Sequence, residues 1–458
     1  MSTPKLGDWD DSDPPLVYRS WRTVCCVSFL IYAALGSVLP MLTLFLRTSA
    51  AMPWWQVSTI VAALALGSSI ALPLIQFGQR RHYDPRLGTA IGQLLCSAVA
   101  MSVVICSQNK LLIGSDWRIA ASIALVAGGL IAWTLSWLHE LAGQTAPSNP
   151  RASREWRLWG AVGFVLPAWC VELAVGRITS VVWEQFEVLY SISAWIGIAA
   201  VAVLVIAWQQ ETSVKPAEVT SAPSREKSAV GGRLLGAVLL IAVVQRWHEF
   251  LAVPFIDQVL EQHSSVPPLS LRLSVVPQVA EVATLYALGR IVCVIGLRLT
   301  LVTALAVWLT RCLLLGAIAQ TPLGAREALT GLFIAQVCGG IATTLFAGTA
   351  AFAVSQRLKA PRLGMRRMVV WSGIVAAFAL VLIGHGAQVA LEKLGVTWAQ
   401  QFWESLPERI TIGSYVLIFR QWSGLWFASA VLPLAALPLV LFARLQASNE
   451  QPADQPAT

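Results

Sequence analysis

The chain has 458 residues, of which 56% are apolar and only 12% are charged, and its mean hydropathy is +0.67. A soluble domain carries about 25% charged residues and cannot bury so much apolar surface, whereas a bilayer can cover it. The composition predicts an all-α polytopic membrane protein and excludes a soluble enzyme, a disordered chain and a nucleic-acid-binding module. An outer-membrane barrel is also excluded, because the apolar runs are continuous and do not alternate at every second residue.

Twelve apolar segments follow a polar N-terminal tail, 1–22, which has no apolar stretch typical of a cleavable signal peptide. A helix needs about 20 apolar residues to cross a bilayer. The predicted spans are 23–46, 56–78, 87–107, 117–140, 158–176, 186–208, 234–257, 271–293, 299–318, 327–355, 367–391 and 421–443.

A polar segment, 209–233, separates the sixth span from the seventh. It is rich in Pro, Ser, Glu and Lys, which is typical of a flexible linker. It divides the spans into an N-terminal six-helix bundle, 23–208, and a C-terminal six-helix bundle, 234–443, followed by a tail, 444–458. No close internal sequence repeat is visible, although a structural repeat can survive without one.

The basic residues indicate the orientation. If the N-terminus is cytoplasmic, 21 of the 32 Lys and Arg residues fall on the cytoplasmic side, 9 fall on the opposite side, and Arg246 and Arg311 lie inside spans. Cytoplasmic loops are enriched in Lys and Arg, so this distribution predicts that both termini are cytoplasmic in a cell (inner) membrane. The net charge of +8 is accounted for in the same way and indicates no nucleic-acid partner.

The residues that usually hold metals or form disulfides show no such pattern. All eight cysteines fall in apolar runs without a CxxC motif, which is typical of small buried thiols. The five histidines are scattered without ligand spacing. We therefore expect no metal, no cofactor and no catalytic residues.

Polar residues deep in spans are costly and usually face a cavity or a partner. In span seven, Gln245, His248 and Glu249 share one helix face by their spacing of three and four residues. This predicts a polar cavity, although an internal ion pair between Arg246 and Glu249 would account for part of the pattern.

Span eight carries a second polar pair, Gln278 and Glu281, which again share a face. Glu281 has no basic residue within one helix turn. Burial disfavours the charged form of such a carboxyl, so it tends to be protonated. Glu281 is thus a candidate proton carrier or a hydrogen-bonding group for a polyhydroxylated solute, and the alternative is a neutral structural acid bonded to another helix.

Two further sites contain an arginine. Arg157 opens span five, where Gly160 and Gly163 permit close helix approach; its side chain either faces a cavity or extends to the interface. Arg311 lies inside span nine, where we expect an acid or backbone carbonyls to pair with it.

The plan of six spans, a polar loop and six spans resembles the major facilitator superfamily, and several motifs resemble its nucleoside:proton symporters. Gln245 and His248 fall on a helix-seven pair that is Gln and Asn in that family. The other similar stretches are 157–164, which matches R-x-W-G-x-x-G-F in helix five; 274–281, which is similar to S-x-x-S-Q-x-x-E in helix eight; 308–311, which matches W-x-x-R in helix nine; and 388–403, at the end of span eleven.

The resemblance implies a monomeric transporter with the major facilitator fold that imports nucleosides or similar small polar solutes together with protons. The substrate-binding residues that it implies are Gln245, His248, Gln278, Glu281, Arg157 and Phe164, with Glu281 as the proton-coupling carboxyl. Ribose hydroxyls need paired donors and acceptors, and a base offers a face for aromatic packing.

Some positions depart from the family. His248 replaces its Asn, Ala161 replaces a Thr, the loop 78–86 is basic but out of pattern, and the helix-ten stretch 336–344 has no acid where the family has an aromatic Phe-Asp stretch. These departures indicate a divergent member with an altered substrate. Two alternatives stay open at this stage: a non-transporting receptor or scaffold with this fold, and a membrane-embedded transferase.

Overall fold

A computed structural model describes nine helices and one small hairpin. The described residues are 15–42, 45–46, 52, 54–81, 83–108, 117–145, 152–178, 182–211, 252, 255–256, 259, 269–320, 324–357, 374–375, 377–378, 381, 410–412, 415–417 and 422–441. Most of the predicted spans 234–257 and 367–391 and of the linker 209–233 lie outside these ranges.

The N-terminal half contains six helices. They are α1 (Pro15–Gly36), α2 (Trp54–Arg80), α3 (Pro85–Gln108), α4 (Trp117–Thr145), α5 (Ala152–Ile178) and α6 (Val182–Glu211), with a 3-10 turn at Leu39–Met41 after α1. Prolines open α1 and α3, where the missing N–H costs nothing. The helices pack as one bundle, chiefly through the pairs α1–α5, α2–α4, α3–α4, α3–α6 and α1–α6.

The first helix differs from the predicted span. It begins at Pro15, within the segment predicted as a tail, and the helix packs against α5. Trp21 is buried there and donates a hydrogen bond from Nε1 to Glu155 Oε2 at 3.1 Å.

The C-terminal half contains α7 (Leu269–Gln320), α8 (Ala325–Arg357) and α9 (Trp422–Leu441), and α7 packs against both of the others. Two short antiparallel strands, β1 (Ile410–Ile412) and β2 (Tyr415–Leu417), precede α9, with Ile410 opposite Leu417. This hairpin was not expected from the sequence.

The long helix α7 holds two of the predicted spans, 271–293 and 299–318. Its backbone breaks at Gly296, where φ is 78° and ψ is 162°. On either side of the break, Pro277 and Arg311 touch neighbouring residues of α8: a Cβ at Gly340 would overlap the Pro277 carbonyl oxygen, and one at Gly339 would lie 2.7 Å from the Arg311 guanidinium. A straight helix rises 1.5 Å per residue and could not bring these two residues together, so the chain reverses at Gly296.

Six helical stretches among the described residues are long and apolar enough to cross a membrane. They are Gln56–Gln79, Pro85–Cys106, Trp117–Thr145, Glu187–Gln209, Val276–Ala319 and Arg326–Thr349. The stretch Val276–Ala319, at 44 residues, is long enough for two crossings.

In three helix pairs, a glycine of one helix lies directly against the backbone of the other. A Cβ at Gly67 of α2 would overlap the carbonyl oxygen of Leu125 in α4, one at Gly36 of α1 would overlap that of Phe164 in α5, and the Gly340–Pro277 contact joins α8 to α7. Helices in lipid associate through such close backbone contacts. The same type of contact thus recurs along the chain without a visible sequence repeat.

Candidate functional site

The polar pair predicted in span eight lies where α7 packs on α8. Gln278 and Glu281 are both partly buried, whereas Val279 between them is exposed on the outside of the helix. Thr344 Oγ1 donates a hydrogen bond to the main-chain carbonyl oxygen of Glu281 at 3.3 Å. The close Gly340–Pro277 crossing one turn earlier fixes this part of α7 against α8. Glu281 therefore stands on a helix segment whose position α8 determines.

Arg311 lies in the second half of α7, and its side chain contacts the same turn of α8. Its side chain is 6% exposed, and its Nη2 donates a hydrogen bond at 2.9 Å to Oε1 of Gln336, which is 2% exposed. Gly339, one turn along α8, leaves the space that the guanidinium occupies. The structure thus brings together three stretches singled out in the sequence: 274–281, 308–311 and 336–344.

One partner of Arg311 was not expected from the sequence. An acid or backbone carbonyls were predicted, and the described hydrogen bond goes to the side-chain amide of Gln336. Sequence reasoning missed this role for Gln336. The available signal was an amide side chain in the apolar stretch Arg326–Thr349.

The two predicted residues of α5 differ in their surroundings. Arg157 is exposed, with its guanidinium carbon 5.5 Å from the ring centroid of Trp156. Phe164 is partly buried, and its main chain meets Gly36. Gly160 packs against Ser28 and Tyr32, and Gly163 meets the carbonyl oxygen of Phe29, so both glycines permit the close approach of α1 and α5. Because α5 also packs on α7, Phe164 and Glu281 stand on neighbouring helices.

Gln245 and His248 lie outside the described residues. Within the part of the chain that the structure describes, no group of three His, Cys, Asp or Glu side chains could hold a metal ion.

An apolar cluster joins the two halves of the protein at one end, and we call it the seal. Its buried members include Phe45, Met52 and Ile60 from the N-terminal half and Phe255, Leu332 and Trp426 from the C-terminal half. Two edge-to-face ring pairs stiffen it: Phe45 with Tyr190 at 5.8 Å and Phe255 with Trp426 at 5.6 Å between centroids. The seal lies where α1 ends and α2 begins, which is the end of the bundle opposite the start of α1.

Residues 22–371 match the sequence profile of the MFS_1 like family. The chain belongs to this family. It is a multi-pass membrane transporter with the predicted major facilitator fold, and it is not an enzyme, so the transferase alternative falls away. Comparison with curated protein sequences gives no match.

Solved structures of transporters share the fold of this transporter at low sequence identity. A mutant of the nucleoside transporter NupG superposes with a TM-score of 0.68 and 12% identity, covering 92% of this chain and 99% of NupG. A bacterial homolog of the human lysosomal transporter Spinster, inward-facing and occupied, gives 0.61 and 14%, covering 94% and 97%. The xylose transporter XylE from E. coli, in an inward open conformation, gives 0.61 and 9%, covering 95% and 98%.

Proposed function

We propose that this transporter imports nucleosides or similar small polar solutes together with protons, by alternating access. One observation carries the proposal: Glu281, a partly buried acid in an apolar span, stands one turn beyond Gln278 on a segment of α7 held against α8. An ionisable residue inside a membrane span is expensive to keep and usually serves transport.

The proton is assigned to Glu281. In an apolar surrounding the protonated carboxyl is the cheaper form, and water from an open cavity favours the charged form. A carboxyl that is enclosed in one state and wetted in the other would therefore bind and release a proton within each cycle.

The solute is assigned to the polar side chains around this carboxyl. The Gln278 amide offers both donors and an acceptor, which suits ribose hydroxyls, and Phe164 offers a ring face to a base. Arg157, Gln245 and His248 complete the proposed site. The fold that this chain shares with the nucleoside transporter NupG makes nucleosides the first solutes to test.

Alternating access follows from two bundles that move against each other around a central site. The seal supplies a closed end, because side chains of both halves pack there. In our proposal, the transporter acts as a monomer in the cell (inner) membrane with both termini in the cytoplasm, and the seal closes the outer end. Opening requires these apolar contacts to separate.

The test is uptake of labelled uridine and adenosine into proteoliposomes, with and without an imposed inward proton gradient. We expect accumulation that depends on the gradient and is lost when an uncoupler is added. Solute binding by folded protein without uptake or counterflow would instead favour a receptor with this fold. If folded protein neither binds nor transports either nucleoside, nucleosides are ruled out as its solutes, and a wider set is then screened by thermal stabilisation.

A further inference from the structure

The N-terminal bundle contains a cavity that none of the described residues of the proposed substrate site lines. Its volume is about 130 Å³, and residues of α1, α2, α3, α4 and α6 line it together with the segment that follows α1. Of the described residues that line the cavity, none comes from α5 or from the C-terminal half, where Phe164 and Glu281 lie. An engineered apolar cavity of about 150 Å³ binds benzene, so this volume suits one aromatic ring.

One side of the cavity is polar. Gln93 and Ser97 stand one turn apart on α3, are 3% and 4% exposed, and both line the cavity. Among the described residues none gives Ser97 Oγ a hydrogen bond, although a helical serine usually bonds the carbonyl one turn back. A buried hydroxyl without a hydrogen-bond partner costs free energy of folding. This cost points to a partner that a bound ligand supplies.

The neighbouring helix α6 is shaped around these two side chains. A Cβ at Gly197 would overlap both Ser97 Oγ and Gln93 Nε2, so only glycine leaves room for them. Ser193, one turn earlier, directs its hydroxyl away to the carbonyl oxygen of Ala34 at 2.7 Å. Gln93 and Ser97 are therefore the groups that can serve a ligand at this side.

Part of the cavity wall belongs to the seal. Phe45, Leu46, Met52 and Ile60 line the cavity and also belong to the apolar cluster that residues of the C-terminal half complete. A cavity collapses when its walls are free to relax. The packing of these four residues in the seal restricts such relaxation on this part of the wall.

We propose that this cavity is a second ligand site, for a small and largely apolar molecule of one-ring size that carries one hydrogen-bonding group, with Gln93 and Ser97 holding that group. Phenol is the simplest molecule of this class, and benzene is its counterpart without the hydroxyl.

The test compares 4-fluorophenol with fluorobenzene by fluorine NMR titration of the full chain in detergent. One net hydrogen bond should make the phenol bind about fivefold to tenfold tighter than fluorobenzene. Gln93→Leu should abolish this preference while fluorobenzene still binds. The phenol should also raise the melting temperature of the wild-type protein.

Variants with a filled cavity are the control for partition of the two ring compounds into detergent. Ala100 lines the cavity, so Ala100→Leu should remove the binding of both rings and the thermal shift, and Ala127→Leu fills the same space if the first variant fails to fold. Equal affinity of the wild type for the two rings would overturn the polar role of Gln93 and Ser97. Absence of binding, or equal binding by the filled variants, would overturn the site itself.

Discussion

Arg311 and Gln336 form a buried hydrogen bond of 2.9 Å that joins the second half of α7 to α8. A charged donor makes this bond stronger than one between neutral groups. The same turn of α8 also packs on the first half of α7 through Gly340. The single helix α8 therefore holds both halves of α7, on either side of its reversal. Loss of the Arg311–Gln336 bond should therefore loosen the support of the segment that carries Glu281.

We expect Gln336→Leu to destabilise the protein by about 1.5–3 kcal/mol, because it removes a hydrogen bond to a charged group. Melting of the purified protein in detergent measures this effect. The double variant Arg311→Leu/Gln336→Leu should lose less stability than the two single variants together, since each single variant already removes the bond that the two side chains share. Thr310→Val, at the exposed neighbour of Arg311, is the control and should melt like the wild type. Additive losses in the double variant would mean that the two side chains act independently.

The six apolar stretches that the structure describes were predictable from the sequence, because hydropathy depends on local composition alone. Even the break at Gly296 falls between two predicted spans, 271–293 and 299–318. The pairing of Gln278 with Glu281 on one helix face needed only the helical repeat. In contrast, the Arg311–Gln336 bond depends on how α7 folds back beside α8, and the order of residues along the chain does not contain that information.

The hairpin β1–β2 was missed although its signal is present. The segment 410–417 reads ITIGSYVL, with β-branched and aromatic residues on both sides of a Gly-Ser pair. Two residues that include glycine between such runs are typical of a tight β-hairpin. The run lies beside the predicted span 421–443.

We expect Glu281→Gln to abolish accumulation of solute under a proton gradient while the protein stays folded. The amide keeps the size and hydrogen-bonding capacity of the side chain but cannot release a proton. Proteoliposome uptake measures accumulation, and counterflow without a gradient measures whether the variant still exchanges solute. Glu187→Gln makes the same change at the start of α6 and should accumulate solute like the wild type. Normal accumulation by Glu281→Gln would remove Glu281 from the coupling mechanism.

The backbone at Gly296 gives a prediction that does not depend on side-chain size. Its φ of 78° with ψ of 162° lies in a region that only glycine occupies at low cost, and no described residue has an atom within 4 Å of the position of a Cβ there. Gly296→Ala and Gly296→Leu should therefore lose about the same stability, about 1–3 kcal/mol. Melting temperatures of the two variants test this. A much larger loss for leucine would indicate crowding at the turn between the halves of α7.

Two adjacent glycines lie where α2 crosses α4, and replacing each by alanine should change the stability in opposite directions. A Cβ at Gly128 would overlap the carbonyl oxygen of Leu64, a backbone atom that cannot move without separating the helices, whereas a Cβ at Gly129 meets nothing closer than 3.5 Å. Ser68 Oγ also donates a hydrogen bond to the Gly128 carbonyl at 2.9 Å, and separation would break it. We expect Gly128→Ala to lower the melting temperature by several degrees. Gly129→Ala should be neutral or slightly stabilising, because alanine favours a helix by up to about 1 kcal/mol over glycine. Equal melting of the two variants would contradict the close contact between α2 and α4.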